Sequence, residues 1–280
     1  MLAALLIVFR EVLEAGLIVG IVLAATKGVP ARGVWIAFGV LSGVAGSCIV
    51  TTFASEIGEL FQGSGQELFN AGVLIIAVAM LTWHNVWMTR HGREIAHEMK
   101  RVGAEVASGE RPLLALVAVC SLAVLREGSE VVLFLYGVFA SGGTSVPGMI
   151  LGGALGILAG AAVSALLYLG LLAIPTHRLF SVTSGLITLL AAGLAAQAVA
   201  FLQQAGHIEV LTRTVWDTAW LLPEDSLLGR LLHTLIGYSD RPSAAQLVVY
   251  LLTVAMILTL MYSQRRPQRK LPEPGPSWLR

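Results

Sequence analysis

Charge is scarce in this chain. Of its 280 residues, 12% are Asp, Glu, Lys or Arg, about half the ~25% usual in soluble domains. With 56% hydrophobic residues and a mean hydropathy of +0.80, that shortage excludes an ordinary soluble domain. Cysteine is limited to Cys48 and Cys120, both inside apolar stretches. Two isolated thiols exclude a disulfide framework and a cysteine-based metal site, and they read as small buried apolar residues. Aspartate is missing from the long apolar stretches, and no His-Glu-x-x-His pattern occurs. An intramembrane protease therefore lacks its aspartate dyad and its zinc ligands, and a membrane-embedded enzyme is a remote alternative. Without a Walker A motif or a Cys-x-x-Cys-His sequence, ATP use or redox chemistry would have to come from another chain. A basic segment ahead of the first apolar run is also missing, and Arg10, Glu11 and Glu14 interrupt that run. The N-terminus is expected to be a spanning helix rather than a cleavable signal.

What is present is a series of apolar segments near the ~20 residues that cross a bilayer. Seven spans are expected, at about 2–25, 33–54, 67–89, 112–139, 148–173, 180–203 and 244–263. The fold class is all-α, a polytopic membrane protein with one transmembrane domain over 1–264 and a flexible Pro-rich tail over 265–280. Loop charge sorts by side. Lys27 and Arg32 follow span one; Arg90, Arg93, Lys100, Arg101 and Arg111 follow span three; Arg178 follows span five; Arg265, Arg266, Arg269 and Lys270 follow span seven. The alternate loops hold only Arg213, Arg230 and Arg241, in one acid-rich stretch over 204–243. The positive-inside rule places the N-terminus outside and the C-terminus in the cytoplasm of a plasma membrane, the inner membrane in a bacterium. The segment 90–111 reads as a polar cytoplasmic helix touching anionic lipid, and 204–243 as short amphipathic helices on the outer membrane surface.

The charges that do occur inside the spans repeat a pattern. Arg10-Glu11-x-x-Glu14 lies in span one and Arg126-Glu127-x-x-Glu130 in span four. Each such charge costs about 2.5–3.5 kcal/mol on insertion scales, so the six gross roughly 15–20 kcal/mol. The motifs are offset by 116 residues, Gly39 and Gly43 match Gly156 and Gly160 at 117, and Gly72 matches Gly185 at 113, which sets His84 opposite Gln197. With three spans per copy, the second copy (112–204) runs opposite to the first (1–91). That is an inverted repeat, a common plan for transporters with midplane sites, and the seventh helix is left peripheral.

Residues i and i+3 or i+4 share a helix face. Glu11 with Glu14, and Glu127 with Glu130, therefore form two aligned carboxylate pairs, with Arg10 and Arg126 in reach of Glu14 and Glu130. Four carboxylates against two guanidiniums leave two negative charges, a surplus suited to a hard or borderline metal ion, and Ser129 could add a weak oxygen. Charge counting does not choose between a divalent and a trivalent ion. A purely structural reading, Arg-Glu pairs fastening helices, stands beside the metal reading.

Further candidates flank the motif. Glu56, Glu59 and Glu67 make an acidic outer mouth that would concentrate cations. Met80, His84, Met88 and His91 lie roughly on one face of span three and could line a transit path. Alternatively, the methionines pack while His84 and His91 sit near the cytoplasmic interface beside Trp83 and Trp87.

The paired Arg-Glu-x-x-Glu motif in a seven-span chain resembles the iron permease family, which has fungal and bacterial members. The resemblance covers about 200 residues, spans one to six. It implies a permease rather than an enzyme, with iron (Fe²⁺ or Fe³⁺) as transported substrate, no permanently bound cofactor, and Glu11, Glu14, Glu127 and Glu130 as the iron-binding residues. It also implies an extracytoplasmic iron-binding or iron-oxidising partner. Some relatives are linked to other divalent metals, so Pb²⁺ or Mn²⁺ transport on the same site is the alternative. The first motif has Val12 where glycine is usual; the second has Gly128. Expected partners are thus the metal ion, membrane lipid and that external protein, with a homo-oligomer compatible and nothing pointing to nucleic acid.

Overall fold

The computed structural model describes residues 1–59, 66–141, 145–170, 176–224 and 226–265. Among them the regular secondary structure is helical, apart from a single antiparallel bridge between Thr214 and Ser243 in the largely irregular stretch between Gln204 and Ala244. The helices are α1 (Leu2–Ala25), α2 (Arg32–Glu59), α3 (Gln66–Ala107), α4 (Leu114–Ala140), α5 (Val146–Tyr168), α6 (Thr176–Gln204), α7 (Leu227–Ile236) and α8 (Ala244–Arg265). Their ends follow local chemistry. Ser145 accepts a hydrogen bond from the Gly148 N–H at 3.4 Å as α5 begins, with Pro147 in the first turn. Ser226 does the same for α7 from Gly229 at 2.9 Å, and α7 stops at Gly237, whose φ of 69° is left-handed.

Segments of α2, α3, α5, α6 and α8 are long and apolar enough to cross a membrane. α1 and α4 are as long, at 24 and 27 residues, and differ in carrying three charges each. The chain is a membrane-embedded helical protein.

Two expectations change. The polar helix expected over 90–111 is the C-terminal part of α3, which runs 42 residues and ends at Ala107. At 1.5 Å per residue that is about 63 Å, twice a bilayer core, so its C-terminal part projects. The projection is anchored: Val102 and Val106 are buried, Val106 packs with Val22, Ile36 and Leu116, and Gly103 abuts Ala25. Within 204–243, α7 does not simply lie on the surface. It packs on α6 and touches α1, and a Cβ at Gly193 would stand 2.7 Å from the Gly237 Cα. Gly193 is midway along the apolar stretch Ser181–Gln204, so the end of α7 dips beside α6.

The remaining helices pair across the two halves: α1 with α5, α2 with α4, and α3 with α6, while α4 also crosses α1 and α3. Glycines permit the closest approaches. A Cβ at Gly43 would meet Ser121 O at 2.7 Å and Val124 Cβ at 2.7 Å; one at Gly156 would meet Leu5 O at 2.8 Å and Val8 Cβ at 2.9 Å. Gly39 likewise faces Val117 O and Cys120, as Gly152 faces Met1 O and Ala4. The α1 and α4 partners are 116 residues apart, whereas the glycines are 113 apart. Contacts therefore match Gly39 with Gly152 and Gly43 with Gly156, one helical turn from the match made on sequence. α5 carries three glycines at four-residue spacing, and only their packing partners fix which two correspond.

The larger core joins Ala3 and Ile7 of α1, Leu74 and Leu81 of α3, Phe134 and Val138 of α4, and Leu190 and Leu194 of α6. α8 lies outside, against α6 and α3, and contributes Ile257 to this core. Asn85 of α3 donates to Ser184 O and Thr188 Oγ1 at 3.1 Å each, tying α3 to α6 one residue beyond His84.

Candidate metal centre

α1 and α4 cross where their charge triplets lie, and α3 passes the crossing at His84. One ligand atom from each of Glu11, His84, Glu127 and Glu130 falls within 4.8 Å of the others. Burial is deep. Glu11 is 1% exposed, and Glu14, His84 and Glu127 are 3% each. The apolar wall includes Phe134, whose ring meets His84 edge-on at 6.3 Å between centroids.

Each arginine lies against the carboxylates of its own helix. Arg10 Nε lies 2.9 Å from Glu14 Oε1, and Arg10 Nη1 donates to Glu11 Oε1 at 3.3 Å. Arg126 Nε donates to Glu130 Oε1 at 3.2 Å and lies 3.8 Å from Glu127 Oε1. His84 bridges the two pairs. Its Nε2 is 3.5 Å from Glu14 Oε2 and 3.9 Å from Glu11 Oε2, while its Nδ1 touches Glu130 Oε2. Glu11 Oε2 and Glu127 Oε2 receive no aligned hydrogen bond from a protein donor among the described residues. Buried carboxylate oxygens without donors, converging with an imidazole, form a hard-to-borderline donor set. Such a set can bind a cation and exchange it between oxygens.

Other candidates fall elsewhere. Ser129 donates to Arg126 O at 2.8 Å, a bond within its own helix. Met80 packs against the apolar core, and Met88 approaches Gly92. His91 stacks on Trp87 with ring centroids 4.9 Å apart and sits 4.0 Å from Glu94. Of the four residues on that face of α3, only His84 reaches the carboxylates; His91, seven residues on, lies about 10 Å further along the helix. Glu67 is exposed in the first turn of α3. The backbone of Glu56 and Glu59 belongs to α2, and their side chains lie outside the described residues. The tail beyond Arg265 also lies outside them. Sequence reasoning left His84 between a transit role and an interfacial one. The one available signal was its position opposite Gln197, a histidine in one copy against an amide in the other.

Comparison with known proteins gives a consistent family. The profile of the iron permease FTR1 family matches residues 1–265. The ferrous iron permease EfeU of Escherichia coli O6:K15:H31 is 34% identical over 254 residues, covering 89% of this chain and 91% of the relative. The ferrous iron permease EfeU of Yersinia pestis is 32% identical over 268 residues, covering 94% and 93%. No solved structure matches the chain.

Proposed function

The chain belongs to the iron permease FTR1 family, and we propose that it carries iron through the carboxylate–imidazole cluster at the crossing of α1, α3 and α4. It is a transporter, not an enzyme, and iron is its cargo rather than a resident cofactor. The observation that carries the site is the convergence of one ligand atom each from Glu11, His84, Glu127 and Glu130 within 4.8 Å, at a deeply buried crossing of three helices.

The ion would be Fe²⁺. An imidazole among carboxylates makes a donor set that suits borderline divalent ions. The relatives carry ferrous permease as their name. Passage would proceed by exchange between the α1 pair and the α4 pair, with His84 touching both. Coordination need never fall to zero during such a transfer, which keeps the barrier low in a dry core.

We further infer seven spans, with α1 and α4 crossing the membrane despite their charges, and an inverted repeat of α1–α3 on α4–α6. The exchanged pairing of α1 with α5 and α2 with α4 is what such a repeat requires, as is the parallel register of the α2 and α5 glycines. The N-terminus would face outward and the projecting end of α3 the cytoplasm, from the loop charges. Glu67 would stand at the outer mouth, where an external iron-binding or iron-oxidising protein could deliver the ion.

Uptake by proteoliposomes tests the reading. Fe²⁺ should enter the wild type, and Glu11→Gln combined with Glu127→Gln should abolish entry while the protein still inserts. Near-normal uptake by that double variant would overturn the site. Entry of Mn²⁺ or Pb²⁺ with exclusion of both iron ions would overturn the cargo.

A further inference from the structure

The two motif arginines are not equivalent. Arg10 is sealed, with its side chain 1% exposed, and reaches its carboxylates through both Nη1 and Nε. Arg126 is 37% exposed, and both of its carboxylate contacts are made by Nε. Its guanidinium carbon lies 4.1 Å from the centroid of the Trp87 ring. Trp87 is itself braced by His91, stacked at 4.9 Å with 19° between the planes, and His91 Nδ1 lies 3.2 Å from the Trp87 carbonyl oxygen.

A guanidinium free to turn on a carboxylate settles into the two-pronged fork, in which parallel N–H groups cover both oxygens. On Glu130 that fork would cover the oxygen now facing His84. An aromatic face attracts the guanidinium plane instead and fixes its orientation. In this pose Arg126 offers one donor to Glu130 Oε1, while Glu130 Oε2 stays turned to His84. Glu127 Oε2 is left without an aligned donor among the described residues.

We propose that Trp87 is a positioning residue that holds Arg126 as a single donor and so keeps its guanidinium off Glu127 Oε2 and off the Glu130 oxygen that faces His84, the oxygens the transported ion would use. The inference rests on the reading of the cluster as the ion site. It assigns different duties to the arginines: Arg10 is a fixed counter-charge for the α1 pair, and Arg126 is an adjustable one whose grip on the α4 pair is set by the aromatic face beside it. Loss of that face would let Arg126 close on Glu130 and compete with the ion.

The test compares initial rates of Fe²⁺ uptake by proteoliposomes carrying wild type, W87F, W87L, R126Q and W87L/R126Q. W87L should raise KM by roughly two- to thirtyfold, the range a cation–π contact is worth, with the maximal rate close to wild type. W87F, which keeps a ring face, should recover most of the loss. On the R126Q background W87L should change nothing further. Equilibrium Fe²⁺ binding to the purified variants makes the same comparison where R126Q turns over too slowly to time. An unchanged KM in W87L, equal impairment of W87F and W87L, or a full additional loss from W87L on R126Q would overturn the role of Trp87. Failure of wild type to take up Fe²⁺ would instead remove the underlying site reading.

Discussion

Gly128 of α4 leaves no room for a Cβ beside Ser47 of α2, whose hydroxyl group lies 3.4 Å from Leu125 O. At the corresponding place in the other pair the sizes are reversed: Val12 of α1 meets Gly160 of α5, where a Cβ would stand 2.9 Å from the Val12 Cβ. The valine that departs from the family's usual glycine is thus accommodated by a glycine on the facing helix. Gly128→Val should overpack the α2–α4 contact and destabilise the protein by about 1–3 kcal/mol. Adding Ser47→Gly should recover most of that. Thermal unfolding of the purified single and double variants measures both effects; equal melting temperatures for the two would refute the size exchange.

Arg10→Gln and Arg126→Gln should separate in stability. The first strips a sealed counter-charge from Glu11 and Glu14, the kind of loss worth about 3–5 kcal/mol. The second acts on a side chain that is 37% exposed and also rests on the Trp87 ring, so a smaller loss is expected. Arg10→Gln should therefore give little folded protein and Arg126→Gln a near-normal yield, read by size-exclusion profiles in detergent.

Replacing His84 by glutamine keeps a polar side chain at the crossing and removes the imidazole. Fe²⁺ affinity should fall roughly ten- to a hundredfold, a loss that even residues outside a ligand shell can cause. Harder ions should gain relative to iron, because the donor set becomes oxygen only. Competition of Mg²⁺ and Mn²⁺ against Fe²⁺ uptake checks the direction; an unaltered competition pattern would remove His84 from the ligand set.

Gly193→Leu should push α7 away from α6, since its Cβ alone would stand 2.7 Å from the Gly237 Cα. Faster hydrogen exchange over 227–238, with α1 and α4 unchanged, is the expected signature. Gly193 is preferable to Gly237 for this test because Gly237 also needs its left-handed backbone.

Between α6 and α8, Asp217 is held below the usual carboxylate range, first by its hydrogen bond with Arg241 and then by the Ala219 N–H. A depressed value in the folded state means that the pair contributes at neutral pH and its contribution is lost as pH falls through that value. Exchange protection over 214–243 should drop on acidification, and Asp217→Asn should remove that part of the pH response.

Much of this protein was decided by local sequence. Apolar length and the near absence of charge dictate membrane helices, since a backbone in hydrocarbon must satisfy its hydrogen bonds within each segment. The i, i+3 and i, i+4 spacing of Arg10, Glu11 and Glu14, and of Arg126, Glu127 and Glu130, dictates two carboxylate pairs, each with its own arginine. Contacts between residues far apart in the chain were decided only by tertiary packing. His84 joins the cluster because α3 packs against both α1 and α4, and nothing within α3 marks it above Met88 or His91. The glycine register, the dip of α7 beside Gly193, and the pairing of Arg126 with Trp87 have the same origin. Periodicity assigns a residue to a face of its own helix. Which neighbour that face meets depends on the interhelical contacts, and here small residues let the backbones approach closely enough to set them.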